Sequence, residues 1–306
     1  MEFPKLDTAV LLNRLSPPTG KVRMVLDTDT YNEIDDQFAL VYSLLSTQRL
    51  QVEAVYAAPF FNELSSGPGD GMEKSHEEIH RVLDRMHRPA PEGFVFKGST
   101  RYLESLETPC HSAAVDDLIK RAMSATEPLY VVAIGAITNI ASALLLEPRI
   151  VERIVVVWLG GNALYWPHTW EFNLQQDVLA ARVVLDSGVP LVLLPCNNVV
   201  THLTTTVAEL EQYIDGKSEI GTYLTGIVRN CGRAGVAWSR VIWDVSAIAW
   251  LVNPDWVPSS LVNSPILTDQ MTWSVDRRRH LIRVADQVDR DLILTDLFGR
   301  IAGADA

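Results

Sequence analysis

The chain has 306 residues, 47% hydrophobic and 21% charged, which fits an ordinary soluble globule with a large core and excludes a disordered chain. Its net charge of -12 argues against nucleic acid or an anionic membrane as partner, because phosphates would be repelled. Three cysteines, Cys110, Cys196 and Cys231, lie far apart without a Cys-x-x-Cys, so a disulfide framework or zinc ribbon is not expected and a reducing, cytoplasmic setting is. No basic segment followed by an apolar core and a small-residue cleavage site opens the sequence. The longest apolar stretch, Leu129 to Leu146, is interrupted by Gly135, Thr138 and Asn139 and reads as strand, turn and helix rather than a membrane span.

Short apolar, β-branched runs recur at Val22–Leu26, Val52–Ala57, Phe94–Phe96, Leu129–Ile134, Ile154–Leu159 and Leu191–Leu194. Helix-period segments lie between most of them, at Asp36–Leu45, His76–Met86, Val115–Met123, Ile140–Leu146 and Val178–Leu185. Fully apolar strands alternating with helices predict parallel βαβ units, with helices on both faces of the sheet. After Pro195 the pattern turns helical, through Leu210–Ile214, Tyr223–Val228 and Val245–Leu251. A hairpin is expected between Met271–Val275 and Leu281–Val284, with Arg277-Arg278-Arg279-His280 as its solvated turn, and a terminal helix over Leu292–Ile301. The expected fold class is therefore α/β. It is a single domain, residues 1–306, with a mostly parallel central sheet flanked by helices and a small C-terminal hairpin. The glycine-rich stretch Ser65–Gly71 reads as a surface loop or as a mobile lid.

Chemistry concentrates where the first apolar run, Val22–Leu26, ends. Asp27, Asp29, Glu33, Asp35 and Asp36 fall within ten residues, between an apolar strand and a helix. Ligand crevices of open α/β sheets lie at such strand ends. Helix capping by Asn32 and Asp35 would use one or two of these acids; five like charges call for a cation, and a hard divalent ion with oxygen ligands suits them. Asp27 and Asp29 share one side of an extended chain. Three further segments stand beside this cluster. Gly135-Ala136-Ile137-Thr138-Asn139 follows a strand and opens a helix, where Thr138 or Asn139 is either the N-cap or part of a turn that lends a carbonyl to a metal. Glu171 and Asn173 would project together to grip sugar hydroxyls or satisfy backbone groups in their loop. Asp244 begins an apolar helix, as a cap or as a ligand.

In this order and at these separations, the four segments resemble the calcium-dependent nucleoside hydrolase family. The resembling elements are Asp27/Asp29/Asp35/Asp36, Ile137–Ala141, Glu171–Asn173 and Asp244, with Lys97-Gly98-Ser99 and Arg283-Val284-Ala285-Asp286 also in place. The resemblance covers essentially the whole chain. It implies hydrolysis of a nucleoside N-glycosidic bond through an oxocarbenium-like transition state. Calcium would be held by Asp29, bidentate Asp36, Asp244 and the Thr138 carbonyl, and would also bind ribose hydroxyls and the attacking water. Asp29 would be the general base, Asp35, Glu171 and Asn173 would hold the sugar, and Asp27 would support them. It further implies a small-molecule nucleoside as partner and a homodimer or homotetramer.

The chain departs from the family pattern in several places. Thr30–Ile34 replaces a Pro-Gly between the acidic pairs, and Pro59 stands where an asparagine is usual, with Asn62 nearby as the substrate-binding substitute. Trp243 replaces the histidine that precedes the late Asp in purine-active members. His168 is then the candidate proton donor to the leaving base, and Trp166, Trp170 and Trp243 are candidates to stack on it. Two other readings exist. One is a non-catalytic nucleoside or ribose sensor on the same scaffold. The other is a haloacid-dehalogenase-like phosphatase using Asp27-Thr28-Asp29, which lacks a matching Lys and later acidic pair.

Overall fold

The computed structural model describes residues 3–231 and 237–305. In chain order the strands are β1 (Val22–Thr28), β2 (Leu50–Ala57), β3 (Val95–Lys97), β4 (Leu129–Ala133), β5 (Ile154–Leu159), β6 (Leu191–Leu194), β7 (Thr204–Thr205), β8 (Arg240–Val241), β9 (Ser259–Asn263), β10 (Ile266–Leu267), β11 (Trp273–Ser274) and β12 (Leu281–Ala285). The α-helices are α1 (Thr8–Leu15), α2 (Asp35–Leu45), α3 (Pro68–Arg85), α4 (Ala113–Ser124), α5 (Thr138–Leu146), α6 (Phe172–Gln176), α7 (Val178–Ser187), α8 (Val207–Tyr213), α9 (Glu219–Cys231), α10 (Val245–Val252) and α11 (Arg290–Ala302).

The main sheet runs β3-β2-β1-β4-β5-β6-β12-β9. All its neighbouring pairs are parallel except β12 with β9. The strands are apolar on both sides because both sides are covered. Met24 and Leu26 face one core layer while Val25 faces the other, and Val155, Val157 and Leu159 likewise oppose Val156 and Trp158. The period of two thus feeds two cores from each strand. Strand order reverses between β1 and β4, so their C-terminal ends leave the crevice where open α/β sheets bind ligands.

The six expected main strands form where the apolar runs lie. The C-terminal hairpin is built differently from the expectation. Trp273–Ser274 pairs with Ile266–Leu267 rather than with the following strand. Leu281–Ala285 instead enters the main sheet between β6 and β9, because its apolar alternation fits a sheet interior. The Ser65–Gly71 stretch is also shorter as a loop than its glycines suggest. Pro68 starts α3, in keeping with proline's fit to a first helical turn. Gly71 is a packing residue, since a Cβ there would lie 2.0 Å from the Phe60 carbonyl oxygen.

Candidate active site

The loops after β1, β4 and β5 and the start of α10 enclose one cavity. Asp29, Asp35, Asp36, Glu171, Asn173, Trp243 and Asp244 all line it. Residues separated by more than two hundred positions in the chain therefore share one small space, which only the sheet order can arrange.

The capping alternatives do not describe these acids. Asn32 and Asp35 form no capping box: α2 has Ile34 at its N-cap and no side-chain cap bond, and the Asn32 Oδ1 accepts instead from Asn62 Nδ2 at 2.6 Å. Asp244 occupies the cap position of α10 without making a capping bond. Its carboxyl faces Asp35 and Asp36 instead, and burial followed by their charges holds its pKa well above the usual range. Burial and the Asp35 charge push Asp36 up to about 8, and burial with the Asp36 and Glu33 charges raises Asp29 strongly. Buried like charges resist ionisation unless a cation joins them.

Each acid is held by specific neighbours. Thr28, the last residue of β1, donates its hydroxyl to Asp36 Oδ1 at 2.5 Å. Asp27, pointing to the other face, accepts 2.7 Å from Asn139 Nδ2, and Asn139 Oδ1 accepts from the Ser99 backbone N–H and hydroxyl at 2.8 and 2.7 Å. Asn139 thus ties β1, the end of β3 and α5 together. Glycine at 135 leaves room for the Asp29 carboxyl, since a Cβ there would sit 2.9 Å from it and force it to shift. Asp35 Oδ2 accepts from the Asp244 backbone N–H at 3.4 Å, and its Oδ1 lies 3.7 Å from the Arg240 guanidinium. Glu171 satisfies backbone groups of its own loop and also lines the cavity. It caps α6 by accepting from the N–H groups of Asn173 and Leu174 at 2.9 and 3.0 Å, and from Gly161 at 2.7 Å. Asn173 gives its amide hydrogens to the Ile134 and Leu159 carbonyls at 3.1 and 3.0 Å, which leaves its Oδ1 to accept from a ligand.

A family model described as inosine-uridine preferring nucleoside hydrolase matches residues 24–295. The chain belongs to this nucleoside hydrolase family. Its members are metal-dependent ribonucleoside hydrolases, enzymes of N-ribosyl bond cleavage. The pyrimidine-specific ribonucleoside hydrolase RihB of Escherichia coli O139:H28 is 31% identical over 186 residues, which cover 57% of this chain and 56% of that protein. The RihB relative of Shigella boydii is also 31% identical, over 57% of this chain and 72% of its own length. The aligned part thus spans little more than half of the E. coli relative. A purine-preferring ribonucleoside hydrolase from Gardnerella vaginalis superposes with a TM-score of 0.75 at 22% identity, over 92% of this chain and 98% of its own, a likeness of fold.

This nucleoside hydrolase cavity has a donor set that suits a hard cation. Asp29, Asp35, Asp36 and Asp244 are buried, Glu171 is half-buried and Glu33 is exposed, and Asp29 Oδ2 and Asp35 Oδ1 are buried without a hydrogen-bond partner. Among the described residues no three His, Cys, Asp or Glu side chains already close on one point as a cage, while Thr28 holds Asp36 and Arg240 lies near Asp35. An all-oxygen set of this kind fits calcium better than zinc.

Several expected residues lie elsewhere. Thr138 is outside the cavity lining, with its hydroxyl on Asp177 Oδ2 at 2.8 Å. Ile134, the residue following β4, lines the cavity in its place. Thr138 is the conspicuous polar residue of this turn, whereas a backbone carbonyl such as that of Ile134 leaves no trace in the sequence. His168 does not line the cavity either; its Nδ1 is buried without a partner and its carbonyl accepts from Asn162 Nδ2 at 3.1 Å. Trp170 is 55% exposed and Trp166 packs on the core. Asn62 stands behind Asn32, which takes the lining position. Asn197 and Cys196 line the cavity without having been singled out in the sequence, and Glu33, a member of the acidic cluster with no separate role of its own, lines it too. Asn162, in a Gly161-Asn162 pair, accepts at its Oδ1 from Asn197 Nδ2 at 2.8 Å.

Proposed function

We propose that this chain hydrolyses the N-glycosidic bond of a ribonucleoside or related N-riboside to ribose and free base. The convergence of Asp29, Asp35, Asp36, Glu171, Asn173 and Asp244 on one cavity supports the reading best. Asp29, Asp36 and Asp244, with the Ile134 carbonyl rather than that of Thr138, would hold calcium. When bound, calcium supplies a Lewis acid that makes water more acidic and orients vicinal hydroxyls.

Asp29 is the general base: its carboxylate takes the proton of the water that attacks C1′. Asp35, Glu171 and the Asn173 Oδ1 accept hydrogen bonds from the ribose hydroxyls and fix the sugar for attack. Asp27, anchored by Asn139, keeps β1 in register behind Asp29. His168 has no place in this scheme, since it lies off the cavity.

The test is ribose release from a broad nucleoside panel, with calcium and with a chelator. Asp36→Ala should lower kcat/KM by more than the roughly 100-fold that loss of a residue behind a metal ligand costs, and should weaken calcium binding measured by calorimetry. Tight binding of nucleosides in calcium with no cleavage of any would favour the sensor reading instead.

A further inference from the structure

The cavity holds one charged side chain that the scheme above leaves unused. Glu33 lies in Thr30–Ile34, lines the cavity beside Asp35, and contacts the Arg240 guanidinium. Arg240 also approaches Asp35, so one guanidinium serves two carboxylates and cannot neutralise both. Trp243 borders the same space and rests its inner side on the core. Among the described residues no His, Lys or Arg lines this cavity. Six carboxylates do so, against a divalent cation and Arg240. The site therefore presents surplus negative charge and an aromatic side chain to the base, with no imidazole or ammonium among the described lining residues to protonate it.

A neutral purine or pyrimidine leaves as an anion unless it is protonated, and surplus negative charge disfavours that anion. A base that already carries positive charge leaves as a neutral molecule. We propose that this site prefers N-ribosides with a cationic base, such as pyridinium or N7-alkylated purine ribosides, with Glu33 and Trp243 as the residues that recognise it. The proposal rests on the hydrolase reading and names its substrate class. In the reaction the C1′–N bond breaks and its electron pair goes to the ring nitrogen, which cancels the ring's charge. Water oxygen bonds to C1′, and the water proton passes to Asp29 and then to solvent. Neither oxidant nor further reactant is needed. Trp243 contributes a cation–π contact with the ring, and Glu33 a counter-charge that is useful only while the base is positive.

The experiment compares kcat/KM for nicotinamide riboside and 7-methylguanosine with that for uridine and inosine, in calcium. Release by Asp36→Ala is subtracted as background. The cationic ribosides should be preferred by at least about 10-fold, the scale of one such charge contact. Glu33→Gln should shrink that preference, and Trp243→His should shrink it from the other side by raising inosine turnover. Equal or better turnover of the neutral nucleosides would overturn the substrate class while leaving the hydrolase reading standing. A preference unchanged in both variants would overturn the roles of Glu33 and Trp243. Release from neither class would overturn the hydrolase reading itself.

Discussion

Single residues act here mainly through the space they leave or the charge they bury. Gly135 is the sharpest case. Adding one methyl puts a carbon 2.9 Å from the Asp29 carboxyl, so Gly135→Ala should keep its far-ultraviolet circular dichroism and lose about 100-fold in kcat/KM, the cost of displacing a catalytic group by about 1 Å. Full activity in that variant would remove Asp29 as the base. His280 titrates in the opposite sense from the acids. Burial and the neighbouring Arg279 lower its pKa from 6.5 to about 4. The unfolded chain therefore takes up this proton at higher pH than the folded protein, and the contribution of His280 to stability is lost as pH falls from about 6.5 toward about 4. His280→Gln should flatten that part of the stability-against-pH curve in urea denaturation. An unchanged slope would show that the imidazole is solvated.

At the scale of elements, the site depends on how strand ends are tied. Asn139 makes bonds to Asp27 and to Ser99, joining three segments that carry or support the acids. Asn139→Ala should cost about 3 kcal/mol, since it leaves a buried carboxyl and a buried hydroxyl without partners; chemical denaturation would measure it. Helix α3 seats against Phe60 through Gly71. Gly71→Ala should destabilise by about 1–3 kcal/mol through overpacking, whereas a free glycine loop would tolerate it. Elements were also the most legible level of the sequence. The strands β1 to β6 and the helices after them were readable because their apolar periods are local. The pairing of β12 with β6 and β9 was not, since two short apolar runs flanking a charged turn look like a hairpin whichever strands they join.

For the whole molecule, both core layers hang on the same sheet. Trp158 is fully buried in one of them, and Trp158→Ala should cost about 3–5 kcal/mol. Calorimetry should find one unfolding transition for residues 1–306, and two separated transitions would argue for two domains. Calcium at about 100 times its Kd should add about 2.7 kcal/mol of stability, visible as a rise in Tm that Asp36→Ala abolishes.

The sequence by itself determined the α/β class, the switch from strand to acidic cluster to helix, and the family, because each is written in short-range pattern or in ordered motifs. It also named the carboxylates, whose chemistry is in their side chains. Only the tertiary structure decided which of them share a cavity, that Ile134 rather than Thr138 faces it, that His168 and Trp170 lie off it, and that Glu33 enters it. Those outcomes depend on backbone carbonyls and on loops brought together across the sheet. Neither leaves a mark in residue order, because the forces that place them act between residues far apart in the chain.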